Sequence, residues 1–230
     1  MSVNQDEAIY GLEAIRKRII SACVRVKRSS EDVCLLVVSK TWPVEAIAPV
    51  AAKGQRAFGE SRLQEAEEKI SSLPQDLEWH FIGALQRNKV RKILPLFPVV
   101  HSISSLKLAK YTDRVAGELG VKPVVYLELN LADEESKGGM SKAELRTNFS
   151  TFASLQNLKI EGLMCLPPNA AEAEASRPWF RQLRELRDEI AAAHEVSLPG
   201  LSMGMSGDFE VAIEEGATIV RVGSAIFGAR

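Results

Sequence analysis

The chain has 230 residues and a formal net charge of −1, from 29 Lys and Arg against 30 Asp and Glu. Near neutrality without a Lys/Arg block argues against a nucleic-acid partner, because binding by phosphate neutralisation needs a basic face. A hydrophobic fraction of 46% supports one large core, and no apolar run approaches the ~18–20 residues of a membrane span, so no membrane partner is expected.

The chain opens on a helical pattern over 3–28. Its first 22 residues mix Asp6, Glu7, Glu13, Arg16, Lys17 and Arg18 with apolar positions, which is not the uninterrupted apolar stretch of an export signal. β-Branched, strand-like runs follow at 33–39, 57–59, 78–82, 99–103, 124–130, 159–163, 200–203 and 218–222. Helical patterns lie between them at 43–53, 61–72, 87–94, 105–119, 142–155, 172–195 and 208–215. Strands that alternate with helices pair in parallel, since each crossover returns the chain to the same end of the sheet. Eight such units predict an α/β fold, a single (β/α)8 TIM-type barrel over 1–230 with an additional N-terminal helix over 1–30. An open doubly wound sheet is the alternative. Cys23, Cys34 and Cys165 are odd in number and far apart in apolar settings, which reads as reduced thiols in a cytoplasmic protein. His80, His101 and His194 lack i,i+3 or i,i+4 spacing and no CxxC occurs, so no zinc is expected.

In a barrel, chemistry gathers where strands end and βα loops begin. Lys40 closes the first apolar run on the face of Val38, Leu36 and Cys34. A lysine there can snorkel to solvent; in a partly apolar pocket it becomes an amine nucleophile that forms a Schiff base with a carbonyl. After the seventh and eighth strands come Gly204-Met205-Ser206-Gly207-Asp208 and Gly223-Ser224. These read either as ordinary turns, with Ser206 a helix cap, or as a phosphate cradle of glycine N–H groups and serine hydroxyls. Arg221 interrupts the last strand on the face of Gly223. An amine, a cradle and a guanidinium between them suit a flat, phosphorylated aldehyde, pyridoxal 5′-phosphate.

The segments Val37-Val38-Ser39-Lys40, Phe58-Gly59-Glu60-Ser61-Arg62-Leu63-Gln64-Glu65 and Trp79-His80-Phe81-Ile82-Gly83-Ala84-Leu85-Gln86-Arg87-Asn88-Lys89 closely resemble the pyridoxal phosphate homeostasis proteins. So do Glu161-Gly162-Leu163-Met164, Leu201-Ser202-Met203-Gly204-Met205-Ser206-Gly207-Asp208 and Val220-Arg221-Val222-Gly223-Ser224-Ala225-Ile226-Phe227-Gly228. The resemblance implies a barrel similar to the N-terminal domain of alanine racemase, with Lys40 holding the cofactor as a Schiff base. It implies that Ser206, Gly207, Gly223 and Ser224 hold the phosphate and that Arg221 faces the pyridine nitrogen, keeping it unprotonated and the ring a weaker electron sink. Two positions depart from the family pattern: Ser61 stands where Asn is usual and Ser224 where Thr is usual. Ser224 keeps the hydroxyl, whereas Ser61 loses an amide.

The implied role is intracellular cofactor homeostasis or carriage, with apo-enzymes as partners, no nucleic acid or membrane partner and a monomeric state. A pyridoxal-phosphate-dependent amino-acid racemase is the alternative, and a phosphosugar-binding barrel a third. A racemase needs a second acid/base, and of Tyr10, Tyr111 and Tyr126 none falls at a strand end. His80 reads as a core histidine or a cofactor contact. Asn88 and Lys89 read as a helix start or a polar rim, and Lys137 as a solvated loop charge or a second amine that meets the cofactor.

Overall fold

The computed structural model describes residues 5–134 and 137–228. Its first element is α1 (Gln5–Arg25); the start of the expected helix over 3–28 lies outside the described residues. The strands are β1 (Cys34–Val38), β2 (Ala57–Glu60), β3 (Glu78–Phe81), β4 (Val99–Ile103), β5 (Val124–Leu129), β6 (Lys159–Cys165), β7 (Gly200–Ser202) and β8 (Ile219–Val222). They pair in parallel in chain order, and β8 closes onto β1 with Leu36 opposite Arg221 and Val37 opposite Val222. A ring of strands has no edge, so the open-sheet alternative is excluded.

Around the barrel run α2 (Val44–Ala52), α3 (Leu63–Ser72), α4 (Val90–Ile93), α5 (Leu106–Leu119), α6 (Lys142–Ala153), α7 (Arg177–His194), α8 (Phe209–Glu214) and α9 (Ser224–Phe227). Where capping chemistry is clear, the expected bounds hold closely. Ser105 accepts from the Leu108 N–H to open α5, and Ser141 with Glu144 forms a reciprocal capping box on α6. Two expected helices differ, and one further helix is present. The pattern over 172–195 resolves into a 3₁₀ turn, Ala173–Ser176, followed by α7, because Pro178 belongs to a first helical turn where its missing N–H costs nothing. That over 87–94 splits into a 3₁₀ turn, Arg87–Lys89, and the single turn of α4. The short α9 after Gly223 was not expected.

Apolar residues fill two layers. The larger lies between strands and helices and includes Phe58, Phe97, Phe149, Phe180 and Phe209, all fully buried; each such side chain contributes roughly 1.5–3 kcal/mol. Helix α1 joins this layer through Leu12, Ile15 and Ile19. The smaller layer is the barrel interior, where Leu36, Ala57, Val99, Tyr126, Met164 and Ile219 meet. Above and beside this plug the inward positions turn polar, with His80, His101, Ser202 and Arg221 all buried.

Candidate cofactor site

Lys40 follows the last residues of β1 and is half-buried. The chain around it is held on several sides. Ser39 is fully buried; its N–H donates to the Gly59 carbonyl at 3.1 Å and its hydroxyl to Glu60 Oε1 at 2.7 Å. Lys69 Nζ, from α3, donates to the same Glu60 oxygen at 2.7 Å and to the Ser39 carbonyl at 2.9 Å. Directly after Lys40, Thr41 adopts φ +68°, a left-handed conformation that costs a β-branched residue about 1–3 kcal/mol and persists only where its surroundings enforce it. Here the Thr41 N–H donates to Glu65 Oε2 at 2.8 Å, and the Trp42 N–H closes the turn on the Ser39 carbonyl at 3.0 Å. The carboxylates of Glu60 and Glu65 and the ammonium of Lys69 thus fix the turn that presents Lys40. Burial raises the Glu60 pKa, against the lowering hydrogen bonds from Lys69 and Ser39.

The turns after β7 and β8 meet at Ser206. Its Oγ accepts from the Gly223 N–H at 3.3 Å and from the Ala225 N–H at 3.4 Å, so it does not cap α8 as the ordinary-turn reading had it. The turn's own carboxylate, Asp208 Oδ1, accepts from the Met205 N–H at 2.7 Å. The two glycines differ in kind. A Cβ on Gly207 would meet nothing within 4 Å, whereas one on Gly223 would lie 3.0 Å from the Val38 carbonyl oxygen and 3.2 Å from Val38 Cβ. Gly223 lets β8 lie close against β1, where a side chain would crowd Val38; Gly207 borders open space. Ser224 is exposed beside them. Since Val38 packs on Gly223 and Lys40 is two residues further on, amine and turns share the mouth formed by the C-terminal strand ends.

Arg221 is 6% exposed, on the inner face of β8. Its Nη1 donates to the Ser202 carbonyl at 2.8 Å and to Ser202 Oγ at 2.6 Å, and Nη2 donates to the Cys165 carbonyl at 3.0 Å. Burial lowers its pKa, opposed by Cys165, Asp208 and Glu128. Glu128, on β5, has its own carboxyl raised by burial, with Arg221 pulling the other way. His101 is held well below the usual imidazole range by burial first and then by the charges of His80 and Arg221.

Of the residues left open by the sequence, His80 is buried and paired with His101, Nδ1 to Nε2, at 2.9 Å. Asn88 and Lys89 are exposed in the 3₁₀ turn, and no side chain caps either helix start there. Lys137 is not simply solvated: its Nζ donates to Glu134 Oε1 at 2.8 Å and to the Pro167 carbonyl at 2.9 Å. Glu135 and Ser136, in the same segment, lie outside the described residues. Tyr10 is exposed on α1 and Tyr111 lies under the guanidiniums of Arg87 and Arg114. Tyr126 is buried in the barrel plug, and burial raises its phenol pKa. Sequence reading missed Glu60, Lys69, His101, Ser202 and Glu128. For Glu128 the available signal was the one that exposed Arg221, a charge at an inward position of a strand.

The convergence tests whether a phosphorylated aldehyde fits. Two backbone N–H groups aim at one serine hydroxyl at distances longer than the usual 2.7–3.2 Å, beside a glycine whose missing side chain leaves space open. These are donors that a stronger acceptor would draw in, so the residues present fit such a group.

Residues 12–230 match the family model of the alanine racemase N-terminal domain. A pyridoxal phosphate homeostasis protein of Aquifex aeolicus (strain VF5) is 44% identical over 220 residues, covering 95% of this chain and 96% of the relative. One from Escherichia coli (strain K12) is 40% identical over 232 residues, covering 98% and 97%. PipY of Synechococcus elongatus PCC7942, solved with PLP bound, aligns at a TM-score of 0.83 and 40% identity over 93% of this chain and 100% of PipY. An alanine racemase of Clostridium difficile 630 shares the fold at a TM-score of 0.77 and 14% identity, over 99% of this chain and 58% of the racemase. The chain belongs to the alanine racemase N-terminal domain family and, within it, to the pyridoxal phosphate homeostasis proteins.

Proposed function

We propose that this protein binds pyridoxal 5′-phosphate through Lys40 and serves intracellular homeostasis of that cofactor by holding and releasing it, without robust catalytic turnover. The observation that carries the reading is the shared mouth: a half-buried amine on a clamped turn, beside two turns whose donors converge at Ser206. In this reading Lys40 supplies the amine, and the phosphate is held by the Ser206 and Ser224 hydroxyls with the backbone of Gly207 and Gly223. The Arg221 guanidinium, which can only donate, faces the pyridine nitrogen and keeps it an acceptor. When bound, the group supplies an aldehyde open to amine attack and a ring that withdraws electrons.

The chain's own groups favour holding over turnover. A racemase needs acids or bases on both sides of the substrate carbon, and the three tyrosines lie on α1, on α5 and in the buried plug. Arg221, where a carboxyl group would keep the ring nitrogen protonated, leaves that nitrogen unprotonated and weakens the electron sink. Partners in this reading are the cofactor and the apo-enzymes that receive it, and the protein acts as a cytoplasmic monomer. The test is to load purified protein with pyridoxal 5′-phosphate, mix it with a cofactor-free enzyme and follow the recovery of that enzyme's activity. Turnover of L- to D-alanine, or of any amino acid, at the 1–10³ s⁻¹ typical of enzymes would overturn the reading in favour of a racemase.

A further inference from the structure

Four buried polar residues on four strands line up through the barrel interior, and their donor and acceptor capacities fit one directed order from Arg221 to His80. Arg221 Nη1 donates to Ser202 Oγ at 2.6 Å, and a guanidinium has no acceptor with which to reverse that bond. The Ser202 hydroxyl keeps its own proton, which this order directs to His101 Nδ1, 2.8 Å away. A neutral His101 with Nδ1 accepting carries its proton on Nε2, which donates to His80 Nδ1 at 2.9 Å. With Nδ1 accepting, His80 carries its ring proton on Nε2, which is buried without a hydrogen-bond partner. That nitrogen borders a cavity of about 350 Å³ at the N-terminal mouth, lined by Cys34, Glu78, Tyr126 and Glu161, and lies 3.5 Å from Glu78 Oε1. The His101 ring is also stacked on Tyr126, with centroids 4.8 Å apart and planes inclined by 20°, so its orientation is fixed by packing as well as by bonding.

We propose that Ser202, His101 and His80 are positioning residues for Arg221, forming a one-way hydrogen-bond file that fixes the guanidinium from below and runs from the cofactor mouth to the opposite end of the barrel. Of these three, Ser202 alone hydrogen-bonds Arg221; the two histidines act by holding the serine hydroxyl in the rotamer that accepts from it. Without His101 as acceptor, the hydroxyl is free to turn its lone pairs from Arg221. The inference rests on the reading that Arg221 faces the cofactor ring.

The file is read first in cofactor-free protein, by ¹⁵N NMR of labelled histidine. Both His80 and His101 show unprotonated Nδ1 and protonated Nε2; a proton on Nδ1 of either ring overturns the order. The second readout is the affinity for pyridoxal 5′-phosphate and the visible band of the loaded protein. Ser202→Ala and His80→Leu raise Kd about tenfold and shift the band, while Ser202→Thr and His80→Gln, which keep the hydroxyl and the acceptor, stay within about twofold. Arg221→Gln separates the role of the file from the placement of Arg221 beside the ring. If it moves affinity and band while Ser202→Ala and His80→Leu move neither, the file is wrong and the cofactor reading stands. If Arg221→Gln itself changes nothing, the placement of Arg221 beside the ring fails and the proposal falls with it.

Discussion

Lys69 Nζ donates to the Ser39 carbonyl at 2.9 Å, one peptide before Lys40, and to Glu60 Oε1 at 2.7 Å. One side chain of α3 thereby ties together the ends of β1 and β2 at the turn that presents the amine. Its head is 6% exposed and the Glu60 side chain 0%, so neither charge has water to fall back on.

Removing one member of a buried ion pair leaves the other uncompensated, which costs about 3–5 kcal/mol. Lys69→Met is therefore expected to lower the unfolding free energy by that amount in urea titration, and Glu60→Gln by less, since the amide keeps an acceptor for Ser39 and Lys69. Equal stability of Lys69→Met and wild type would show that the clasp is dispensable.

The glycines after the last two strands predict opposite phenotypes. Gly207→Val places a side chain in open space, so thermal stability holds while cofactor affinity drops. Gly223→Ala forces Val38 to move and costs about 1–3 kcal/mol of stability by overpacking. Ser206→Ala is expected to weaken cofactor retention by about 1–2 kcal/mol through a lost charge-assisted bond. Paired melting curves and binding isotherms of the three variants check this division.

An acid-sensitive cluster lies on the outer layer. Glu215 accepts from Arg177 and Arg181 and lies 2.9 Å from Arg184. Burial alone would raise its carboxyl pKa, but the hydrogen bonds from Arg181 and Arg177 and the charge of Arg184 outweigh it and lower it. A carboxylate with a depressed folded pKa contributes stability that is complete above its unfolded value, about 4.3, and lost as pH falls through the folded one. Glu215→Gln should cost roughly 1.5–3 kcal/mol at pH 7, and the gap should close as the wild type is acidified below the ordinary carboxylate range. A pH-independent gap in denaturation midpoints would contradict the assignment.

How much of this was legible in the sequence depends on the range of the interaction. The barrel was, because period-two strands alternating with amphipathic helices are local patterns, and even the short run at 57–59 proved to be β2 (Ala57–Glu60). Lys40, Arg221 and the turns at Ser206 and Gly223 were singled out because each breaks a local rule at a strand end. Other features depend on contacts between distant segments. Glu60 looked like a loop residue and Lys69 like one more charge on a polar helix, until α3 folded over the end of β1. Ser202 and His101 are 101 residues apart, and neither violates its own strand's pattern enough to announce a partner. The left-handed turn at Thr41 is hidden for the same reason, since the carboxylate that holds its N–H comes from Glu65, 24 residues on.

Attachment of the cofactor at Lys40 is tested by borohydride reduction of protein loaded with pyridoxal 5′-phosphate, followed by peptide mapping. The expected product is a phosphopyridoxyl group on Lys40 in near-stoichiometric yield, with the visible band lost in Lys40→Ala. Label on Lys137 or on any other lysine, with Lys40 unmodified, would contradict it.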